Sequence, residues 1–120
     1  MSLELRSIVG KGEISKERLT LRALTSCDVG DFIVLRTGHD GEDVTTDARN
    51  AFWFPYQNVE SGDLVVVYTK RGNRNFRSLT TGKTAHFFYL GLNETIWHVP
   101  KVAAVLLYAP TWQARPASEL

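Results

Sequence analysis

Residues 52–68, FWFPYQNVESGDLVVVY, decide the fold. Phe52, Trp53 and Phe54 are strong strand formers. Pro55 ends their pairing because it lacks an amide hydrogen and restricts the residue before it. The polar NVESGD turns the chain, and LVVVYT, residues 64–69, reads as a buried strand. A helix would need ten or more residues without such punctuation. Alternation through 52–56 predicts Phe52, Phe54 and Tyr56 on one side and Trp53 on the other. Between stacked sheets, Phe52 and Phe54 would each contribute about 1.5–3 kcal/mol on burial. Trp53 is left outside, as a candidate contact for a partner.

The same signal recurs on both sides of this stretch. Leu5–Val9 reads as a short strand, stopped by Gly10 and Gly12. In ISKERLTLRAL, Leu19, Leu21 and Ala23 share one face, the pattern of a half-wet strand. SCDVGD is a turn, and DFIVLRT the next strand. Residues 38–50, GHDGEDVTTDARN, carry no period and read as a long loop. Residues 70–83, KRGNRNFRSLTTGK, form a second exposed excursion, with hairpin-like turn signals at Gly72, Asn73, Asn75 and Gly82. TAHFFYL has bulk on both faces, as a central strand does. GLNETIWHVP is a connection. KVAAVLLYA, limited to about nine residues by Pro100 and Pro110, is open to a short helix, since Ala and Leu favour one, but β-branched Val102 and Val105 and the all-β context favour a strand. The chain from about residue 111 is expected to be a flexible polar tail. Six or seven short strands with no long amphipathic helix read as one all-β domain, a β-sandwich or a small barrel, and the fold expected is an antiparallel β-sandwich with long loops.

Composition narrows the function. The 120 residues suffice for one core, and 43% of them are hydrophobic. With 14 Lys and Arg against 13 Asp and Glu, the net charge is +1, which gives no bulk preference for nucleic acid or anionic membrane. The single cysteine, Cys27, excludes an internal disulfide and a cysteine-built zinc site. No apolar run approaches the roughly 20 residues that span a bilayer, and the N-terminus does not resemble a signal peptide. An intracellular location is the default expectation.

The order DFIVLRT, FWFP, ESGDLVVVY resembles the lamin tail domain, an immunoglobulin-like sandwich. HFFYLGLNETIW and VAAVLLY match its closing strands, so the likeness covers roughly residues 17–109. It implies an immunoglobulin-like fold and a binding or structural module. The family has no catalytic set to carry over.

Chemical motifs are sparse. TTGKTA superficially resembles a phosphate-binding loop, but the position that loop requires as glycine is Arg77. Asp40, Glu42, Asp43 and Asp47 cluster without the order of an EF-hand. The three histidines lack metal-ligand spacing, and no spacing ties Cys27 to a His and an Asp. No catalytic residue, metal or cofactor is expected. One segment is biased: Lys70, Arg71, Arg74, Arg77 and Lys83 surround Phe76, with no acid in residues 70–83. Together with Trp53 these residues are the candidate partner-binding set. The reading is a non-enzymatic module contacting a protein, another copy or a different chain. The alternatives are nucleic-acid binding through the basic 70–83 hairpin and a small hydrolase, which would need two acids or a Cys–His pair on one cavity.

Overall fold

The alternating apolar side chains build two facing sheets. The computed structural model describes residues 1–120. Its strands are β1 (Leu3–Val9), β2 (Arg18–Ala23), β3 (Cys27–Asp28), β4 (Phe32–Asp40), β5 (Asp43–Val44), β6 (Arg49–Trp53), β7 (Asn58–Val59), β8 (Leu64–Tyr68), β9 (Asn75–Ser78), β10 (Thr84–Tyr89) and β11 (Val102–Tyr108). Only two short 3-10 turns, Val29–Asp31 and Ala117–Glu119, interrupt this all-β order. One sheet runs β1-β2-β8-β10-β9. In the other, β4 pairs with β11 along one edge, while β6 and β5 lie end to end along its other edge. A small β3–β7 ribbon closes the side.

Leu3, Leu19, Leu21, Ala23, Val65, Val67 and Phe88 of the larger sheet meet Phe32 and Val34 of the smaller one and Phe54 just beyond β6. Val29 and Val59 join from the ribbon and its turn, and Ile96 and Trp97 from the connection before β11. The aromatic stretch fills the core as its alternation predicts. The Phe54 ring meets both Phe52 and Phe88 edge-on, with centroids 5.1 Å apart in each pair. Such contacts contribute roughly 0.5–1.5 kcal/mol each beyond burial. Tyr56 departs from the expected side. β6 ends at Trp53, so strand alternation no longer governs residue 56, and Tyr56 lies exposed against Gly30.

The layers are antiparallel except for one pair. β10 runs parallel to β8, with Ala85 opposite Leu64 and Tyr89 opposite Tyr68. The chain leaves β8, forms β9 one place further out, and returns as β10 into the gap between them. Residues 38–50 are also not the long loop expected. β4 continues to Asp40, turns at Gly41 (φ 63°) and Glu42, and returns as β5. Thr45 then closes on Gly38, donating its amide hydrogen to the Gly38 carbonyl and accepting from the Gly38 amide at Oγ1. The 70–83 excursion is largely exposed, as expected, and its middle forms β9, the first strand of a hairpin with β10. The apolar 102–108 segment is a strand, as its β-branched residues suggest. No helix is long and apolar enough to cross a membrane.

Two buried carboxylates hold the ends of the central strand β8. Beyond its last residue, Thr69 donates its hydroxyl to Glu17 Oε2 at 2.6 Å. The amide of Ile96 also donates to Oε2 (2.9 Å), and those of Gly12 (3.1 Å) and Trp97 (3.3 Å) donate to Oε1. Burial alone would raise the Glu17 pKa; the four donors outweigh it and hold the carboxyl below its usual value. Glu17 is fully buried and has no cationic partner. Just before β8, Asp63 plays the matching role, which leads to the candidate site.

Candidate functional site

Asp63 accepts from the amides of Glu60 and Thr84 at 3.0 Å each, and pairs with His86 Nε2 at 2.9 Å. His86 is on β10, and its Nδ1 is 2.7 Å from the Gln57 side-chain amide. The network assigns the tautomer: Nε2–H donates to Asp63, and Nδ1 accepts from Gln57 Nε2. Burial pushes the Asp63 pKa up, but the His86 and backbone hydrogen bonds pull it below the usual value. A His–Asp pair also orients the base in hydrolytic triads. Here an amide occupies the place a nucleophilic hydroxyl would take, and both ring nitrogens are hydrogen-bonded within the protein.

His86 and Gln57, with Arg74, Asn75, Phe76 and Thr84, line a groove of about 710 Å³. The groove contains neither thiol nor carboxylate. It lies where β9 extends the larger sheet. β9 pairs with β10 alone and all four of its residues are exposed. Phe76 is 72% exposed, on the same face of the hairpin as His86, its cross-strand partner. Cys27, the only thiol, is on the β3–β7 ribbon; burial, and then the nearby charges of Asp28 and Asp31, raise its pKa and keep it protonated.

The opposite face of the same sheet carries an aromatic and basic row. Arg18, Tyr68 and Tyr89 are aligned across β2, β8 and β10; Thr20, Val66, Phe87 and Asn75 form the next row. Tyr68 and Tyr89 stack with centroids 5.5 Å apart and planes 12° from parallel. Lys70 Nζ lies 4.8 Å from the Tyr68 centroid, and the Arg18 guanidinium 5.6 Å from it. Arg77 covers Phe87 at 5.6 Å. Each contact is worth about 0.5–1 kcal/mol at such exposed positions. Gly72 is held against the Tyr89 ring so closely that no side chain fits there.

The structure therefore divides the candidate partner-binding residues. Lys70 and Arg77 belong to the outer aromatic row, whereas Arg74 and Phe76 line the groove. Arg71 is exposed beside them, and Lys83, in the β9–β10 turn, lies close to Gly62. Trp53 is elsewhere, on the outside of the smaller sheet. Its indole N–H donates to the Gly30 carbonyl at 2.8 Å, and Trp112 packs edge-on against it at 4.9 Å. The four ion pairs of the chain use Arg6, Lys16, Arg49 and His86, so none of the five basic residues of 70–83 has a carboxylate partner. Asp40, Glu42, Asp43 and Asp47 lie on the exposed β4–β5 hairpin and its return; they do not converge, and Asp47 pairs with Arg49 at 3.0 Å. Sequence reasoning missed Gln57, His86, Tyr68, Phe87 and Tyr89. The bulk on both faces of TAHFFYL was the only signal for His86, Phe87 and Tyr89, and Gln57 and Tyr68 had none. No family model, no curated protein and no solved structure matches the chain.

Proposed function

We propose that the chain is a non-enzymatic, immunoglobulin-like β-sandwich module that docks an acidic protein partner through its β9–β10 hairpin. One observation carries this reading: Lys70, Arg71, Arg74, Arg77 and Lys83 all lie on or beside the β9–β10 hairpin, and none of them is paired with a carboxylate. In a chain of net charge +1, this local excess favours an oppositely charged surface and speeds encounter with it. The likeness to lamin tail domains, which are binding or structural modules, supports the same reading. So does the His86–Asp63–Gln57 network, in which a side-chain amide and not a nucleophile faces the imidazole.

Nucleic acid is the second reading, favoured by the aromatic rings among the cations. Single strands bind such surfaces by stacking bases on free ring faces. The Tyr68 and Tyr89 rings are already stacked on each other, Lys70 and Arg18 lie on Tyr68, Gly72 lies on Tyr89 and Arg77 covers Phe87, so Phe76 alone among these rings stays uncovered, a short platform for a strand. A protein partner is therefore preferred.

The test measures fluorescence anisotropy of a labelled oligoglutamate and of an oligothymidine strand, with the wild type and a variant carrying Arg71→Gln, Arg74→Gln and Arg77→Gln. The expected result is binding of the acidic peptide that weakens between about 50 and 200 mM salt and falls at least about tenfold in the variant. Tighter binding of the oligothymidine, lost in the same variant, would replace this reading with the nucleic-acid one. Equal binding by both proteins would refute a role for the hairpin charges.

A further inference from the structure

The larger sheet ends in a strand that has an unpaired edge, an uncovered aromatic ring and a groove beneath it. We propose that this edge is completed by an extended acidic segment of the partner, added antiparallel to β9 with one apolar side chain seated against Phe76. The inference rests on the docking reading above and names the kind of chain that docks.

Three observations lead to it. First, β9 hydrogen-bonds to β10 alone, so its outer edge presents unpaired amide and carbonyl groups. Short, charged edge strands are a common defence against unwanted pairing. That defence accounts for Arg77 and Arg74, but not for a phenylalanine 72% exposed at the centre of the strand. Second, the space under Phe76 is already formed. Its floor is fixed because His86 is held at both ring nitrogens, by Gln57 and by Asp63. The groove volume of about 710 Å³ is in the range of established binding sites. Third, the charges specify the ligand. Arg74 lines the groove, Arg77 lies on the opposite face, and neither has a carboxylate partner.

Strand geometry turns these positions into a sequence pattern. Side chains alternate between faces, and cross-strand neighbours face the same way. An antiparallel segment meets Ser78, Arg77, Phe76, Asn75 and Arg74 in that order. An acid opposite Arg77, an apolar residue opposite Phe76, any residue opposite Asn75 and an acid opposite Arg74 give the order acid–apolar–any–acid. Main-chain bonds supply affinity and the alternating side chains supply selectivity, as in other strand-addition complexes.

The probe is a blocked, labelled peptide with Glu-Phe-Thr-Glu at its centre. The control has the same composition with the phenylalanine moved by one position, which turns it to the other face. Binding is followed by anisotropy, and β9 by amide hydrogen exchange. The first peptide is expected to bind and to slow exchange within Asn75–Ser78, and the displaced order to bind about tenfold more weakly. Phe76→Ser is expected to weaken the first peptide by a similar factor and, because Phe76 is exposed, to leave the melting temperature unchanged. Methylating alternate peptide nitrogens abolishes binding if the edge is used. If acidic peptides bind, and lose binding in the triple arginine variant, but ignore residue order and Phe76→Ser, strand addition is refuted while the docking reading stands. If no acidic peptide binds, both are refuted.

Discussion

Replacing Glu17 by glutamine tests the claim that one buried carboxylate organises an end of the sandwich. Oε1 accepts from the Gly12 and Trp97 amides, and Oε2 from the Ile96 amide and the Thr69 hydroxyl. A glutamine must point its NH2 group at one of these pairs. If it faces Gly12 and Trp97, two backbone donors lose their acceptor. If it faces Ile96 and Thr69, the hydroxyl can reverse its role, but the Ile96 amide is stranded. A buried donor left unmatched costs about 1–3 kcal/mol, and each remaining bond loses its charge assistance. The expected loss is about 2–4 kcal/mol at neutral pH, from a total of roughly 5–15 kcal/mol for a domain. At about 4 °C per kcal/mol for a chain of this size, the melting temperature should fall by roughly 8–16 °C. Urea unfolding at a series of pH values provides the assay. Because the folded pKa is depressed, this stabilisation is complete above the unfolded pKa of about 4.5 and is lost as pH falls through the folded value. Glutamine does not titrate, so the difference between the two proteins should shrink below about pH 4. A variant that melts within about 2 °C of the wild type at pH 7 would refute the reasoning.

Three further outcomes are expected. Asp63→Asn removes an ionised acceptor from His86 and two amides; it should cost about 2 kcal/mol in urea unfolding at pH 7. That deficit should also shrink in acid, because the Asp63 pKa is lowered in the fold. Gly10→Ala places a side chain at φ 68° within 2.9 Å of the Lys16 carbonyl oxygen; thermal unfolding should show a loss of about 1–3 kcal/mol. Trp112→Ala removes only an edge-on partner of the exposed Trp53; it should shift tryptophan emission while changing stability by less than about 1 kcal/mol.

Local periodicity carried most of the fold. Leu19, Leu21 and Ala23 announced a strand and its buried face, Phe52 and Phe54 their place between the sheets, and Pro55 the strand end. Periodicity says nothing about which strand pairs with which, so the insertion of β10 beside β8 was not legible. The hairpin in 38–50 was obscured because both its strands face water, leaving charge where alternation would otherwise show. Glu17 gave no signal within SKERL: its four hydrogen bonds come from residues 12, 69, 96 and 97, brought together only by the fold. The basic segment was plain in composition, and its division between two faces followed from strand alternation once β9 was placed. Gln57, Asp63 and His86 meet through turns and pairing across 29 residues of chain.

The placement of β10 between its neighbours has a consequence for biosynthesis. As the chain emerges from the ribosome, β8 can find β2 at once, but its other side stays open until residue 89 has been made. During that interval Val65 and Val67 lie beside a vacant lane that any passing extended chain could enter. A stalled or truncated product ending before Thr84 would keep the lane open permanently. Quality control should therefore meet this protein as an all-or-nothing product, sticky when shortened and self-contained once the last third has arrived.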